Sequence, residues 1–468
     1  MPTLPEKFLK SLEGIEGYNK ESFLDVHGKP VSITSIRLNP SKINVQKEEE
    51  TVKDLSFQVG ERVPWTAYGY YLKERPSFTF DPLFHAGVYY VQEASSMFLE
   101  QVLKQLINLE QPLMVLDLCA APGGKSTHLQ SLLSTDSLLV SNEVIRSRSF
   151  VLQDNVIKWG CENIVVTNND PSAYQKLPGF FDIIVVDAPC SGSGLFRRDE
   201  EAINEWSLNN VQLCSQRQQR ILADALSCLK EDGLLIYSTC SYSKEEDEDI
   251  ADWLVNECSM ENSQLTIDPS WNIVTSHSPL TKSVGYRFFP DKVKGEGFFI
   301  CCFKKRTPSL RNKNRQSKVN QIASKQLSIL TKWLDTNDYY FINHFDKTYA
   351  IPKEHLYQVT SLIDKLKVIY AGVRVGEIMN EKLIPDHALA LSKILSSEVP
   401  STNLSYHDAI RYLQRQDLQI EAMQTGWQTV RYKDHNIGWI NALKNRINNY
   451  YPKELRILKQ YNDEPFEK

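Results

Sequence analysis

No apolar run among the 468 residues approaches the roughly 18 that a membrane-crossing helix requires. The opening segment MPTLPEKFLKSLEG alternates charge with Leu and Phe, where a signal peptide would carry an unbroken apolar core. A cytoplasmic protein with no membrane association is therefore expected. There is no Cys-x-x-Cys pair, and the nine cysteines are odd in number and confined between Cys119 and Cys302. That usage argues against both a disulfide framework and a zinc site, so no metal is expected. Nor is there a general excess of positive charge: the net charge of −5 offers no broad attraction to a polyanion. One local excess exists, KKRTPSLRNKNRQSKVNQIASK from Lys304 to Lys325, with eight basic residues and no acid. It reads as a solvated basic linker and a boundary.

What is present is an α/β pattern. The length suits about three domains. Between residues 113 and 303, short apolar runs alternate with segments of helical spacing: LMVLDL (113–118), LLVSN (138–142), NIVVTN (163–168), FDIIVVD (181–187) and LLIYST (234–239). Two further strands, VGYRFF and GFFICCF, flank a charged turn containing Gly295 and Gly297. This βαβ alternation predicts a doubly wound, Rossmann-like sheet with its ligand at the carboxyl ends of the strands. Ser243 and Glu246, three residues apart before a run of acids, read as a capping box opening the helix after the fifth strand. The boundaries expected are 1–90 for a small N-terminal α/β module, 91–303 for the catalytic domain, 304–325 for the linker and 326–468 for a C-terminal α+β extension.

The loop after the first strand, DLCAAPGGKSTHL, is a tight Gly-rich turn leading into a helix, and such turns let backbone N–H groups approach a charged ligand. A phosphate-binding P-loop would need glycine where Cys119 stands. A nucleoside cofactor fits better. Glu143 ends the second strand, where a carboxylate can bond both ribose hydroxyls. Asp170, just past the third strand, is suited to an adenine amino group, although turn chemistry before Pro171 would also explain it. Loop, acid and acid at successive strand ends suggest S-adenosylmethionine, held by Cys119, Ala120, Ala121, Pro122, Gly123, Gly124, Lys125, Glu143, Asp170 and Asp187. The fourth and fifth strands should be neighbours, so Cys190 of DAPCSGSG and Cys240 of YSTCS should share one pocket. Spacing alone does not decide which thiol attacks. The other cysteines, Cys161, Cys214, Cys228, Cys258, Cys301 and Cys302, are expected to be inert.

DLCAAPGGK, DAPCSGSG, YSTCS and, upstream, HAGVYYVQEASSM (85–97) together resemble the RNA cytosine-5 methyltransferases of the Nol/Nop/Sun family, over about residues 30–303. GVRVGEI, PDHALAL and KNRINNYYPKELR resemble, over shorter stretches, the C-terminal extension of the bacterial small-subunit ribosomal RNA methyltransferase F group. The resemblance implies a class I S-adenosylmethionine-dependent methyltransferase domain and a PUA-like barrel within 326–468. It also implies methylation of carbon 5 of a cytidine, with ribosomal RNA or the small ribosomal subunit as partner, and a monomer is expected. A transfer RNA substrate, or a catalytically silent assembly factor, would be the alternatives. Carbon 5 of cytosine becomes nucleophilic only after a thiolate adds at carbon 6, which is covalent catalysis. By resemblance Cys240 is that nucleophile and Cys190 assists product release. Asp187 would hydrogen-bond the base, with Lys125 positioning it.

Arg148, Arg197 and Arg198 would project near the site to hold phosphates, with surface ion pairing as the alternative. SITSIRLNPSKI, with Arg37, Asn39 and Lys42, resembles the family's N-terminal RNA-binding module, and Tyr450 and Tyr451 are candidates for stacking on unpaired bases. A chain ending near Lys304 is expected to keep its cofactor site.

Overall fold

The five apolar runs become five parallel strands: β1 (Met114–Asp117), β2 (Leu138–Asn142), β3 (Ile164–Thr167), β4 (Phe181–Asp187) and β5 (Leu229–Thr239). Their near-continuous hydrophobicity follows from burial on both faces, since connecting helices cover a parallel sheet on each side. Pairing sets Val115 beside Leu139 in one direction and beside Ile183 in the other. The chain thus reverses its direction of growth at β1, which opens a crevice at the carboxyl ends of β1 and β4. Four antiparallel strands follow, β6 (Met260–Ser263), β7 (Val274–His277), β8 (Val284–Phe288) and β9 (Phe298–Lys305), and β10 (Val368–Ala371) completes the sheet. The order is β7-β8-β9-β5-β4-β1-β2-β3-β10, with β6 paired to β9. These features belong to a computed structural model that describes residues 4–29, 33–308, 321–344, 346–420 and 424–461. Among the described residues, no helix is long and apolar enough to cross a membrane.

The N-terminal module contains an antiparallel sheet of Ser35–Leu38, Val59–Arg62, Gly69–Leu72 and Tyr89–Val91. Arg37, Asn39 and Lys42 serve the protein's own interior, which corrects the expectation that these three face RNA. Arg37 is buried and donates to Gln92 Oε1 at 2.9 Å, Thr127 Oγ1 at 2.7 Å and Ser131 Oγ at 3.0 Å. Asn39 donates to the carbonyls of Gly87 and Trp159, and Lys42 to those of Ala86 and Lys158. The helix Arg146–Trp159 ends with carbonyls that have no partner within the helix. An amide and an ammonium from the neighbouring module supply the donors, and a cation there also suits the helix dipole.

The C-terminal extension forms two further sheets. One consists of Tyr339–His344, Lys347–Pro352, Val373–Met379 and Lys382–Pro385; the other of Ser401–Asn403, Gly426–Tyr432, His435–Leu443 and Arg446–Asn449. Neither is a detached appendage. β10 comes from this extension and pairs antiparallel with β3, Tyr370 against Val166. Ile351, Leu362, Val368 and Tyr370 share the core of Ile164 and Val165, and Leu404, Ile410 and Ile440 share the core of Ile36, Leu38 and Tyr89. Tyr451 is buried there with its hydroxyl against His85, so it is a core residue and not a base-stacking one. Tyr450 stays exposed beside Trp427. Of the basic linker, Lys304 and Lys305 belong to β9 and Arg306 pairs with Asp232 and Glu261; residues 309–320 lie outside the described residues.

The shared cores add a cost in stability to a chain ending near Lys304, which is expected to keep its cofactor site. Such a chain loses an edge strand and the large side chains packed on β3, each worth about 2–5 kcal/mol when removed from a core. Calorimetry should show a thermal midpoint lower by about 10 °C or more. Melting within about 2 °C of the full chain would show that the extension adds little to the catalytic sheet.

Candidate active site

The cofactor loop is built from β1 outward. Asp117 ends the strand fully buried and accepts from Ser126 Oγ at 2.7 Å. Burial, followed by the nearby charges of Asp187 and Glu143, pushes its carboxyl up to about 7. The chain then turns through Leu118 to Gly123, which sits at φ +118°, a conformation that favours glycine, and enters the helix Gly124–Leu132. Asn142 fastens this turn to its neighbours. Its amide donates to the carbonyls of Leu118 and Asn169, while its oxygen accepts from Thr167 Oγ1 and the Asn169 N–H.

Glu143, at the end of β2, is buried with one oxygen accepting from the Ile145 N–H at 2.8 Å and the other 3.5 Å from Arg148. Arg148 also donates to the Ala121 carbonyl at 2.8 Å, so this half-exposed residue braces the cofactor loop. Asp170 caps the turn beginning at Pro171 by accepting from the Ser172 N–H, and its side chain remains partly exposed. A cavity of about 440 Å³ is lined by Cys119, Ala121, Glu143, Arg148, Asp170, Asp187, Cys190 and Cys240. A smaller one, about 190 Å³, adjoins it through Cys119, Ala121 and Asp187, and adds Ala120, Pro122, Gly124, Lys125 and Tyr90. Gly123 lines neither and acts through the turn. The half-exposed apolar side chains of Val144 and Ile145 border the larger cavity beside Glu143. A carboxylate for hydroxyls with apolar surface beside it for a purine fits S-adenosylmethionine.

The two thiols meet at the floor of this cavity. β4 and β5 pair in parallel with Asp187 beside Ser238, so the loops that follow begin level. Cys190 Sγ and Cys240 Sγ lie 2.9 Å apart, both as free cysteines. The Cys190 thiol is pushed well above the usual range, first by its hydrogen bond to Cys240 and then by burial. Asp187 is fixed from two sides, by Lys125 Nζ at 2.8 Å and Ser238 Oγ at 2.9 Å.

Two sequence expectations fail here. Arg197 does not reach out to phosphate: its side chain is 3% exposed and it lies 3.4 Å from Glu296 while donating to the Gly295 carbonyl. The aromatic core of Phe8, Phe196, Trp206 and Tyr242 covers the loop that carries it. Arg198 is partly exposed, bonded to the Ile33 carbonyl and 3.8 Å from the same Glu296.

The capping box also fails. Ser243 makes no cap bond, because Lys244–Glu246 is a 3-10 turn and the α-helix starts only at Glu248. Glu246 turns inward to the cysteine loops. Sequence reasoning missed that role, and it also missed Arg217 and Arg220, which line the cavity from the helix Leu208–Leu226. The i, i+3 spacing of the two arginines in SQRQQR was the available signal.

Comparison with known proteins agrees with this architecture. Residues 104–304 match the family model described as 16S rRNA methyltransferase RsmB/F. Residues 4–94 match the N-terminal domain of 16S rRNA methyltransferase RsmF, and residues 399–457 the methyltransferase RsmF PUA domain. Ribosomal RNA small subunit methyltransferase F of Psychromonas ingrahamii is 29% identical over 481 residues, covering 97% of each chain. Its Aeromonas salmonicida counterpart is 28% identical over 473 residues, again covering 97% of each. A solved methyltransferase homolog from Pyrococcus horikoshii superposes with a TM-score of 0.51 at 29% identity, over 64% of this chain and 100% of that one. With three models matched in order along its length and relatives aligned nearly from end to end, this chain belongs to the 16S rRNA methyltransferase RsmB/F family.

Proposed function

We propose that the protein methylates carbon 5 of a cytidine in small-subunit ribosomal RNA, with S-adenosylmethionine as methyl donor and Cys240 as the attacking thiol. The observation that carries this reading is the pair of thiols 2.9 Å apart, at the ends of adjacent parallel strands and beside the Lys125–Asp187 ion pair. The curated relatives, named for methylation of small-subunit ribosomal RNA, support the choice of substrate.

When bound, S-adenosylmethionine supplies an electrophilic methyl group on a sulfonium centre. Glu143 would take the ribose hydroxyls, Asp170 the adenine side, and the turn through Gly123 the charged tail. The chain's own residues manage the base. The Cys240 thiolate adds to carbon 6 and electron density moves onto carbon 5, which is what permits attack on a methyl group. Asp187, held by Lys125 and Ser238, would in its protonated form donate a hydrogen bond to the base at N3 while this charge develops. Release requires loss of the proton on carbon 5 and departure of the Cys240 sulfur. Cys190, whose sulfur lies 2.9 Å away, can give its S–H proton to the departing Cys240 sulfur, and the Cys190 thiolate so formed can take the carbon 5 proton.

Bisulfite sequencing of ribosomal and transfer RNA from cells with and without the gene tests the proposal. A protected cytidine should vanish from small-subunit ribosomal RNA when the gene is absent; its loss only from transfer RNA would replace the substrate. The Cys240→Ala variant should have no turnover while calorimetric binding of S-adenosylmethionine is unchanged, and methyl transfer by that variant would reverse the assignment. With Cys190→Ala, a nuclease-sensitive covalent protein–RNA band should accumulate on denaturing gels; the absence of any such band would remove Cys190 from product release. Glu143→Ala should weaken cofactor binding by about 1.5–3 kcal/mol, roughly tenfold or more. Unchanged affinity in a folded variant would place the ribose elsewhere.

A further inference from the structure

Glu246 lies beyond the end of β5, fully buried, in the turn Lys244–Glu246. Its carboxylate accepts four hydrogen bonds. Oε1 receives the Ser191 N–H at 2.8 Å and Gln218 Nε2 at 3.1 Å; Oε2 receives Ser191 Oγ at 2.5 Å and Ser241 Oγ at 2.7 Å. Ser191 directly follows Cys190 and Ser241 directly follows Cys240. One carboxylate therefore ties together the two loops that carry the thiols. Gln218 extends the tie by donating also to the Pro189 carbonyl, just before Cys190. The clamp is itself anchored to β5, since Tyr237 donates its hydroxyl to the Glu246 carbonyl at 2.6 Å.

We infer that Glu246 is a positioning residue for the reaction, setting the separation of Cys190 and Cys240 by clamping Ser191 and Ser241. The role rests on the proposed reading of these cysteines as the catalytic pair. A carboxylate suits the position because all four partners act as donors, and an ionised acid offers lone pairs on both oxygens. Burial pushes its carboxyl above the ordinary range, and the donors from Ser191, Ser241 and Gln218 pull it back. Glutamine could keep most of the clamp. Its oxygen would accept from the Ser191 N–H, and its amide would donate to the serine hydroxyls, which can rotate to accept. Alanine would remove the clamp and leave the two loops joined by uncharged ties, such as the Gly194 N–H to the Cys240 carbonyl and the Tyr242 N–H to Ser193 Oγ.

The test uses full-length protein and a readout independent of RNA: the rate at which diamide oxidises Cys190 and Cys240 to a disulfide, followed by peptide mass spectrometry. Glu246→Ala should slow this cross-link about tenfold or more and lower kcat for methyl transfer on the order of 10²-fold, as expected when reacting groups drift by about 1 Å. The KM for S-adenosylmethionine should stay unchanged. Glu246→Gln should recover both rates to within about fivefold of the parent. Ser241→Ala, which removes one of the four bonds to the Glu246 carboxylate, should slow the cross-link by a smaller factor and serves if the alanine variant does not fold. Parent-like cross-linking in Glu246→Ala or in Ser241→Ala overturns the inference, as does Glu246→Gln behaving like Glu246→Ala in a folded protein. A parent that cross-links in this pattern yet methylates no RNA would sink the proposed function while supporting the clamp.

Discussion

Two parallel strands that end level are the constraint on which the site depends. With Asp187 of β4 beside Ser238 of β5, the segments Ala188–Gly194 and Cys240–Ser243 leave the sheet side by side. Short loops then have little choice but to interact. Ser193 Oγ accepts from the Tyr242 N–H, Gly194 donates to the Cys240 carbonyl, and Glu246 reaches both loops. A thiol pair separated by 50 residues in sequence becomes a rigid local feature because the sheet has already provided most of its alignment. The cost of burying Glu246 is offset by donors that the serines after each cysteine supply.

The same sheet gathers negative charge. Asp117, Glu143 and Asp187 end β1, β2 and β4, and their mutual repulsion helps raise the buried Asp117 to about 7. Lys125 and Arg148 offset part of it, one holding Asp187 and the other Glu143. The flanking modules keep this arrangement in place. Arg37 reaches the helix that follows the cofactor loop, Lys42 and Asn39 cap the helix after Glu143, and β10 covers the free edge of β3.

Features with a local signature were legible in the sequence. The strands of the doubly wound sheet are continuous apolar runs, the glycine turn is a compact motif, and two cysteines at strand ends point to chemistry wherever the strands are adjacent. What escaped depends on partners distant in sequence. Arg37, Asn39 and Lys42 look like an RNA-facing stripe until the helix end they cap is in view. Arg197 looks exposed until the aromatic cluster over its loop is included. Ser243 and Glu246 have the spacing of a capping box, yet the turn between them is too tight, and the acid finds better donors in the loop of Cys190. β10 escaped because its pairing with β3 crosses about 200 residues.

The central claim is that Cys240, and not Cys190, bonds to the base. The most direct measurement uses the unaltered protein with ribosomal RNA carrying 5-fluorocytidine and S-adenosylmethionine. After methyl transfer the fluorine on carbon 5 cannot leave as a proton does, so the covalent adduct persists and can be mapped by mass spectrometry after digestion. The account predicts a methylated fluoropyrimidine nucleotide attached to the peptide at Cys240, with Cys190 unmodified. Attachment at Cys190, or methylation without any protein adduct, would contradict it.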